Sequence, residues 1–214
     1  MIDTVKKERL IVIVRGVEKE KLIPLAEAMY AGGVRLLEVT YSANGTVSDE
    51  ETAARIGMLC RHFGNRMQIG AGTVLNVRQV ELTHSVGGKF IISPDTNPEV
   101  IQKTKQLGML SMPGALTPTE AQTAHRAGAD LVKLFPISDL GPDYVKAVRA
   151  PLSHISFLAV GGVDLSNMSA YLAAGVCGFG VGSNIIDKRM LAEENYACIT
   201  ELARRYVLAA KGAI

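Results

Sequence analysis

The 214-residue chain repeats one pattern from end to end: a short apolar run, a glycine- or proline-containing turn, a helical stretch, a glycine stop, and the next apolar run. The apolar runs fall at residues 10–14, 34–40, 67–71, 90–93, 109–112, 129–136, 155–160 and 176–181. They are short and do not alternate with polar residues, as expected of parallel strands covered on both faces. Helical spacing fills the gaps at residues 18–30, 52–63, 77–85, 98–107, 118–127, 142–148 and 166–174, and residues 195–211 close the chain. A short polar helix is predicted over residues 1–8. Pro98 suits a first helical turn, Ser166 suits an N-cap, and Ala31-Gly32-Gly33, Ala127-Gly128 and Ala174-Gly175 suit helix stops.

Eight strand–helix units with no break in composition predict a single α/β domain over residues 1–214, a parallel (β/α)8 TIM barrel. The competing arrangement is an open doubly wound sheet. Its usual G-x-G-x-x-G turn is missing after the first strand.

Composition removes several function classes. A net charge of +2 and 5% aromatic residues give neither a basic surface nor stacking platforms for nucleic acid. Cys60, Cys177 and Cys198 are odd in number and lack metal-type spacing, which reads as reduced thiols in a cytoplasmic protein. His62, His84, His125 and His154 are scattered, so no metal is expected. No run approaches the roughly 18 apolar residues that span a bilayer, so no membrane partner is expected.

Two residues stand out from their strands. Lys133 lies in Ala129-Asp130-Leu131-Val132-Lys133-Leu134-Phe135-Pro136, on the same face as Leu131 and Phe135. Desolvation lowers an amine's pKa and frees it to attack carbonyls. Glu38 lies in Leu36-Leu37-Glu38-Val39-Thr40. Burial raises a carboxyl's pKa toward neutrality, which suits proton transfer. The bland alternative is a structural ion pair of Glu38 with Lys133 or Arg15, or a lysine at a strand end.

In a barrel, the C-terminal ends of the strands line one mouth. Arg15, Glu38, Thr40, Thr73, Pro94, Pro113, Lys133, Gly161-Gly162 and Gly182-Ser183 fall there. The glycine turns after the seventh and eighth strands let backbone N–H groups and a helix N-terminus approach a phosphate. Arg15 offers a fork of donors for a carboxylate, and Thr73 a hydroxyl.

Leu37-Glu38-Val39-Thr40, Gly70-Ala71-Gly72-Thr73-Val74-Leu75-Asn76, Ile92-Ser93-Pro94, Pro113-Gly114, Val132-Lys133-Leu134-Phe135-Pro136, Gly161-Gly162 and Val181-Gly182-Ser183 run in the order of the 2-keto-3-deoxy-6-phosphogluconate aldolases. The chain resembles that family over nearly its whole length. The resemblance implies a (β/α)8 barrel, a homotrimer, no metal and no cofactor. It implies class I cleavage of a phosphorylated keto sugar acid to pyruvate and glyceraldehyde 3-phosphate, with some members also taking 4-hydroxy-2-oxoglutarate. By position, Lys133 is similar to the Schiff-base lysine and Glu38 to the general acid/base. Arg15 and Thr73 are similar to pyruvate-carboxylate contacts, and Gly161, Gly162, Gly182 and Ser183 to the phosphate cradle. Pro94 and Val160 join the substrate-binding set.

Two departures matter. Ala159-Val160-Gly161-Gly162 stands where many gluconate-type members have Pro-Thr-Gly-Gly. Ser42 stands in the stretch where several carry an arginine. Both, with Leu140-Gly141-Pro142, look more like the 2-keto-3-deoxy-6-phosphogalactonate aldolases, and both epimers stay open. Competing readings are a phosphosugar epimerase or a thiamine-phosphate-type synthase on the same barrel, and a non-catalytic phosphosugar-acid binder.

Overall fold

The computed structural model describes residues 1–214. A short helix α1 (Ile2–Glu8) leads into β1 (Leu10–Val14) and α2 (Lys19–Ala31). Then follow β2 (Leu36–Thr40), α3 (Asp49–Phe63), β3 (Gln68–Gly72), α4 (Val77–Ser85), β4 (Phe90–Ile92) and α5 (Pro98–Gln106). β5 (Leu110–Met112) and β6 (Gly114–Ala115) precede α6 (Pro118–Arg126), β7 (Val132–Leu134) and α7 (Gly141–Arg149). β8 (Phe157–Val160), α8 (Met168–Ala173), β9 (Gly178–Val181), α9 (Lys188–Ala192) and α10 (Tyr196–Ala210) complete the chain.

All strand pairs are parallel, in the order β5-β4-β3-β2-β1-β9-β8-β7-β6. The two outermost strands of that order are neighbours in sequence, separated only by Pro113. β5 pairs with β4, and β6 pairs with β7. They are the two halves of one strand, broken where proline has no N–H to give the ladder. The Pro113 carbonyl still accepts from the Lys133 N–H at 2.9 Å, so the sheet closes into a (β/α)8 barrel.

Local chemistry sets the helix starts. Ser48, Asn76, Asn97 and Asn195 each accept a first-turn N–H, and Thr117 and Glu120 form a reciprocal capping box. The structure departs from the sequence reading in four places. The sequence ended the fifth strand at Pro113, but pairing resumes beyond it. Most strands are a residue or two shorter than their apolar runs, because those runs continue into buried turns. Helix α9 was not anticipated; Asp187 caps it. Ser166 is not an N-cap, since its N–H and hydroxyl both serve Asp164 Oδ1, and Asn167 takes the cap position.

Strand alternation divides the apolar residues into two cores. Val12, Leu37, Ile69, Ile91, Leu134, Ala159 and Phe179 face the helices. Ile11, Leu36, Phe90, Leu110, Leu131 and Leu158 face inward and pack with Val5 of α1, which corks the N-terminal end of the barrel. The chain ends meet where α10 lies on α2. A Cβ on Gly32 would stand 2.5 Å from Ala203 Cβ and 2.7 Å from the Thr200 carbonyl. Gly32 has ordinary helical φ, so crowding alone forbids a side chain there. Gly32→Ala is therefore expected to destabilise the fold by about 1–3 kcal/mol through overpacking, read as a lowered urea midpoint.

Candidate active site

The inward face of the barrel is apolar at its lower levels and changes character near the C-terminal ends of the strands. On β7, Lys133 alternates in step with Leu131 and Phe135 and points inward, only 6% exposed. On β2, Glu38 follows Leu36 on the same inward face, at 1% exposure. The two strands are separated by β1, β9 and β8 in one direction, so the groups face each other across the interior. No ion pair of 4.0 Å or less joins them. Lys133 Nζ lies 4.3 Å from the centre of the Phe135 ring, and Glu38 Oε2 is buried without a hydrogen-bond partner.

Burial acts on both groups. It pushes the Glu38 carboxyl up from its ordinary range, against the opposing pull of Lys133 and Arg15. It pushes the Lys133 ammonium down, opposed by Glu38 and reinforced by Arg15. Each neutral form is favoured over its value in water. A poised amine and a poised acid thus face one dry space.

Glycines make that space. The inward positions of β3 are Gly70 and Gly72. A Cβ on Gly70 would come within 2.5 Å of Phe90 Cγ. A Cβ on Gly72 would stand 2.6 Å from Glu38 Cγ and closer still to its carboxyl. On β9, a Cβ on Gly180 would come within 2.9 Å of Val160 Cγ2.

A cavity of about 550 Å³ opens at the mouth, lined by Lys133, Glu38, Arg15, Thr73, Pro94, Val160, Gly161, Gly162, Gly182 and Ser183. Every site residue expected from the sequence borders it. Thr40 instead lines a neighbouring cavity, and Pro113 lines neither. Ala43, Leu75, Phe135 and Asn184 complete the wall. Of these, only Phe135 carried a signal in the sequence, its alternation with Lys133.

Just past β1, exposed Arg15 donates from Nη2 to Thr73 Oγ1 at 3.0 Å. Thr73 holds φ 55°, a left-handed conformation costly for a β-branched residue. Its neighbours pin it there: Tyr41 N–H donates to the Gly72 carbonyl at 2.8 Å and Val74 N–H to that of Ile92 at 3.3 Å.

Opposite lie the two glycine turns. Gly161 and Gly162 have φ 91° and 73°, and a Cβ on Gly162 would stand 2.5 Å from Ser138 Cβ. Asn184 Nδ2 donates to the Val163 carbonyl at 2.9 Å and ties the turns together. The N–H groups of Gly161, Gly162, Ser183 and Asn184 donate to no acceptor in the chain. Four free amides beside one cavity make a seat for an anion. The expected helix N-terminus is not part of it. Helix α8 starts only at Met168 and α9 at Lys188, and a single turn folded onto the Gly182 carbonyl follows Ser183.

The profile of the family described as "Aldolase: KDPG and KHG aldolase" matches residues 1–202. The chain belongs to that family. The 2-dehydro-3-deoxy-6-phosphogalactonate aldolase of Escherichia coli (strain K12) is 36% identical over 82% of this chain and 83% of its own. The 2-dehydro-3-deoxy-phosphogluconate aldolase of Treponema pallidum (strain Nichols) is 30% identical over 95% and 94%. Among solved structures, KDPG aldolase from Legionella pneumophila superposes with a TM-score of 0.85 at 28% identity, covering 95% of this chain and 97% of that one. That crystal holds pyruvate as a covalent carbinolamine intermediate.

In this aldolase the buried charges are not there for stability. Folding must bury Lys133 in a site that favours the neutral amine, a penalty that is complete below the depressed folded pKa. It fades as pH rises toward the value of the free amine. The double variant Glu38→Leu/Lys133→Met is expected to be neutral to about 4 kcal/mol more stable than the parent. The gain should be larger at pH 6 than at pH 10, as measured by urea unfolding.

Proposed function

We propose that the protein is a class I aldolase that cleaves a 2-keto-3-deoxy-6-phosphoaldonate to pyruvate and glyceraldehyde 3-phosphate. The observation that carries this reading is the buried amine and the buried carboxyl facing one cavity without pairing. An ion pair would have quenched both.

Neutral Lys133 attacks the C2 ketone, and loss of water gives an iminium. The iminium withdraws the electrons of the C3–C4 bond. Glu38 assists the dehydration, then takes the C4 hydroxyl proton as that bond breaks. Glyceraldehyde 3-phosphate departs, C3 of the enamine is protonated, and water hydrolyses the imine to release pyruvate. Arg15 and Thr73 grip the C1 carboxylate. The four free amides of the turns at Gly161-Gly162 and Gly182-Ser183 hold the phosphate, with Pro94 and Val160 packing along the chain between. Fixing both ends of the substrate spends remote binding energy on alignment at C2 to C4. The whole chain acts as one domain, and a cytoplasmic homotrimer is the form that the family likeness suggests. No helix is long and apolar enough to cross a membrane.

Borohydride reduction in the presence of pyruvate is expected to place a stable adduct on Lys133, seen by peptide mass spectrometry; an unmodified Lys133 removes it from the role. Glu38→Gln should keep substrate binding and lower turnover by about 10²-fold or more.

The epimer is set, on this reading, by Val160. Its methyl groups face the cavity where many gluconate-type members present a threonine hydroxyl, and the galactonate relative above is the more similar of the two. The galactonate substrate is the preferred one, with the gluconate epimer and 4-hydroxy-2-oxoglutarate as secondary substrates. Val160→Thr is expected to move the ratio of kcat/KM values toward the gluconate epimer by roughly fivefold, the worth of one hydrogen bond of about 1 kcal/mol. Pyruvate release from the two epimers measures it.

A further inference from the structure

The absent side chain of Gly72 has a consequence for the pair across the barrel. We infer that Gly72 is a positioning residue: its bare Cα leaves the recess in the barrel wall that seats the Glu38 carboxyl and keeps it out of ion-pairing contact with Lys133. The inference rests on the aldolase reading above.

The recess belongs to Glu38. The three nearest atoms to a Cβ built on Gly72 are all from that side chain: Oε1, Cδ and Cγ. Gly72 itself has little room to shift. Its carbonyl accepts from Tyr41 N–H, its neighbour Thr73 is held at φ 55°, and β3 is bonded in register to β2 at Thr40. Glu38 is equally fixed at its backbone, paired with Ile13 on one side and Gly70 on the other. A methyl group at Gly72 therefore displaces the flexible end of Glu38, not the backbone. The open volume beside Glu38 is the 550 Å³ cavity, and Lys133 lines its other side. A carboxyl swung out of the recess moves toward the amine. The charged groups facing Lys133 are Glu38 from β2 and Arg15 from the end of β1. Arg15 is exposed and bonded to Thr73, so the ejected carboxyl pairs with Lys133 and holds it protonated.

The test compares the parent, Gly72→Ala, Glu38→Gln and Gly72→Ala/Glu38→Gln. Turnover is followed by pyruvate release, and imine formation by borohydride trapping of pyruvate on Lys133 across a pH series. Gly72→Ala is expected to lose turnover by about 10²-fold, the scale of an ångström-sized misplacement. Its trapping midpoint should move to higher pH, while that of Glu38→Gln moves to lower pH because the carboxylate that favours the ammonium is gone. The double variant should be no slower than Glu38→Gln alone. Near-parental turnover in Gly72→Ala overturns the inference. So does lost turnover with an unmoved or lowered midpoint, or a double variant showing the product of two independent losses. Near-parental turnover in Glu38→Gln instead overturns the proton-carrier reading, and leaves the midpoint of Gly72→Ala to decide where the carboxyl sits. If Gly72→Ala is too unstable to purify, Gly72→Ala/Glu38→Ala is expected to recover folding, because the crowding atoms are gone; failure to recover it counts against the inference.

Discussion

Desolvation inside a closed barrel is the constraint on which the rest depends. An amine and a carboxyl placed there are each driven toward neutrality by the loss of water. Attraction alone would restore their charges by bringing them into contact. The barrel prevents this by geometry, since β2 and β7 lie on different sides of its interior and Gly72 gives the carboxyl a place against the wall. The amine is then free to act as a nucleophile, and the acid is free to exchange protons with whatever lies between them.

The same interior is graded along its axis. Near the N-terminal end it is packed solid by Leu36, Phe90, Leu110, Leu131 and Leu158, with Val5 sealing the floor. Near the C-terminal end, glycines on β3 and β9 withdraw volume from the wall, and the cavity begins where the packing stops. Stability and chemistry are thereby assigned to different levels of one core. The broken strand β5–β6 fits this division, because Pro113 falls at the level where the ladder gives way to the mouth.

Exposure divides the site in a second way. The reacting pair is buried, while Arg15 and the free amides of the two glycine turns sit nearer solvent. Charged substrate ends can thus be met at the rim, where a guanidinium and amides stay hydrated until needed. The carbonyl carbon is delivered to the dry region below. Thr73 joins the two zones: its strained backbone follows the Glu38 recess directly, and its hydroxyl orients Arg15.

Much of this was legible in the order of the residues. A lysine and a glutamate inside apolar strands declare themselves, because an apolar strand has no cheap place for a charge. The eightfold recurrence of strand and helix fixes where the strands end, so it also fixes which residues share the mouth. Side-chain alternation put Lys133 on one face with Phe135, and the glycine turns announced close backbone approach. Other features belong to the tertiary structure alone. Strand pairing decided that Pro113 splits a strand without opening the barrel. Packing between distant elements decided that α1 corks the floor and that Gly32 must accommodate α10. Gly-Ala-Gly-Thr reads as a turn signal in one dimension; only with β2 beside β3 does Gly72 become the space that Glu38 occupies. Local sequence determines what a residue would do if buried, but which atoms meet it there depends on contacts between segments far apart in the chain.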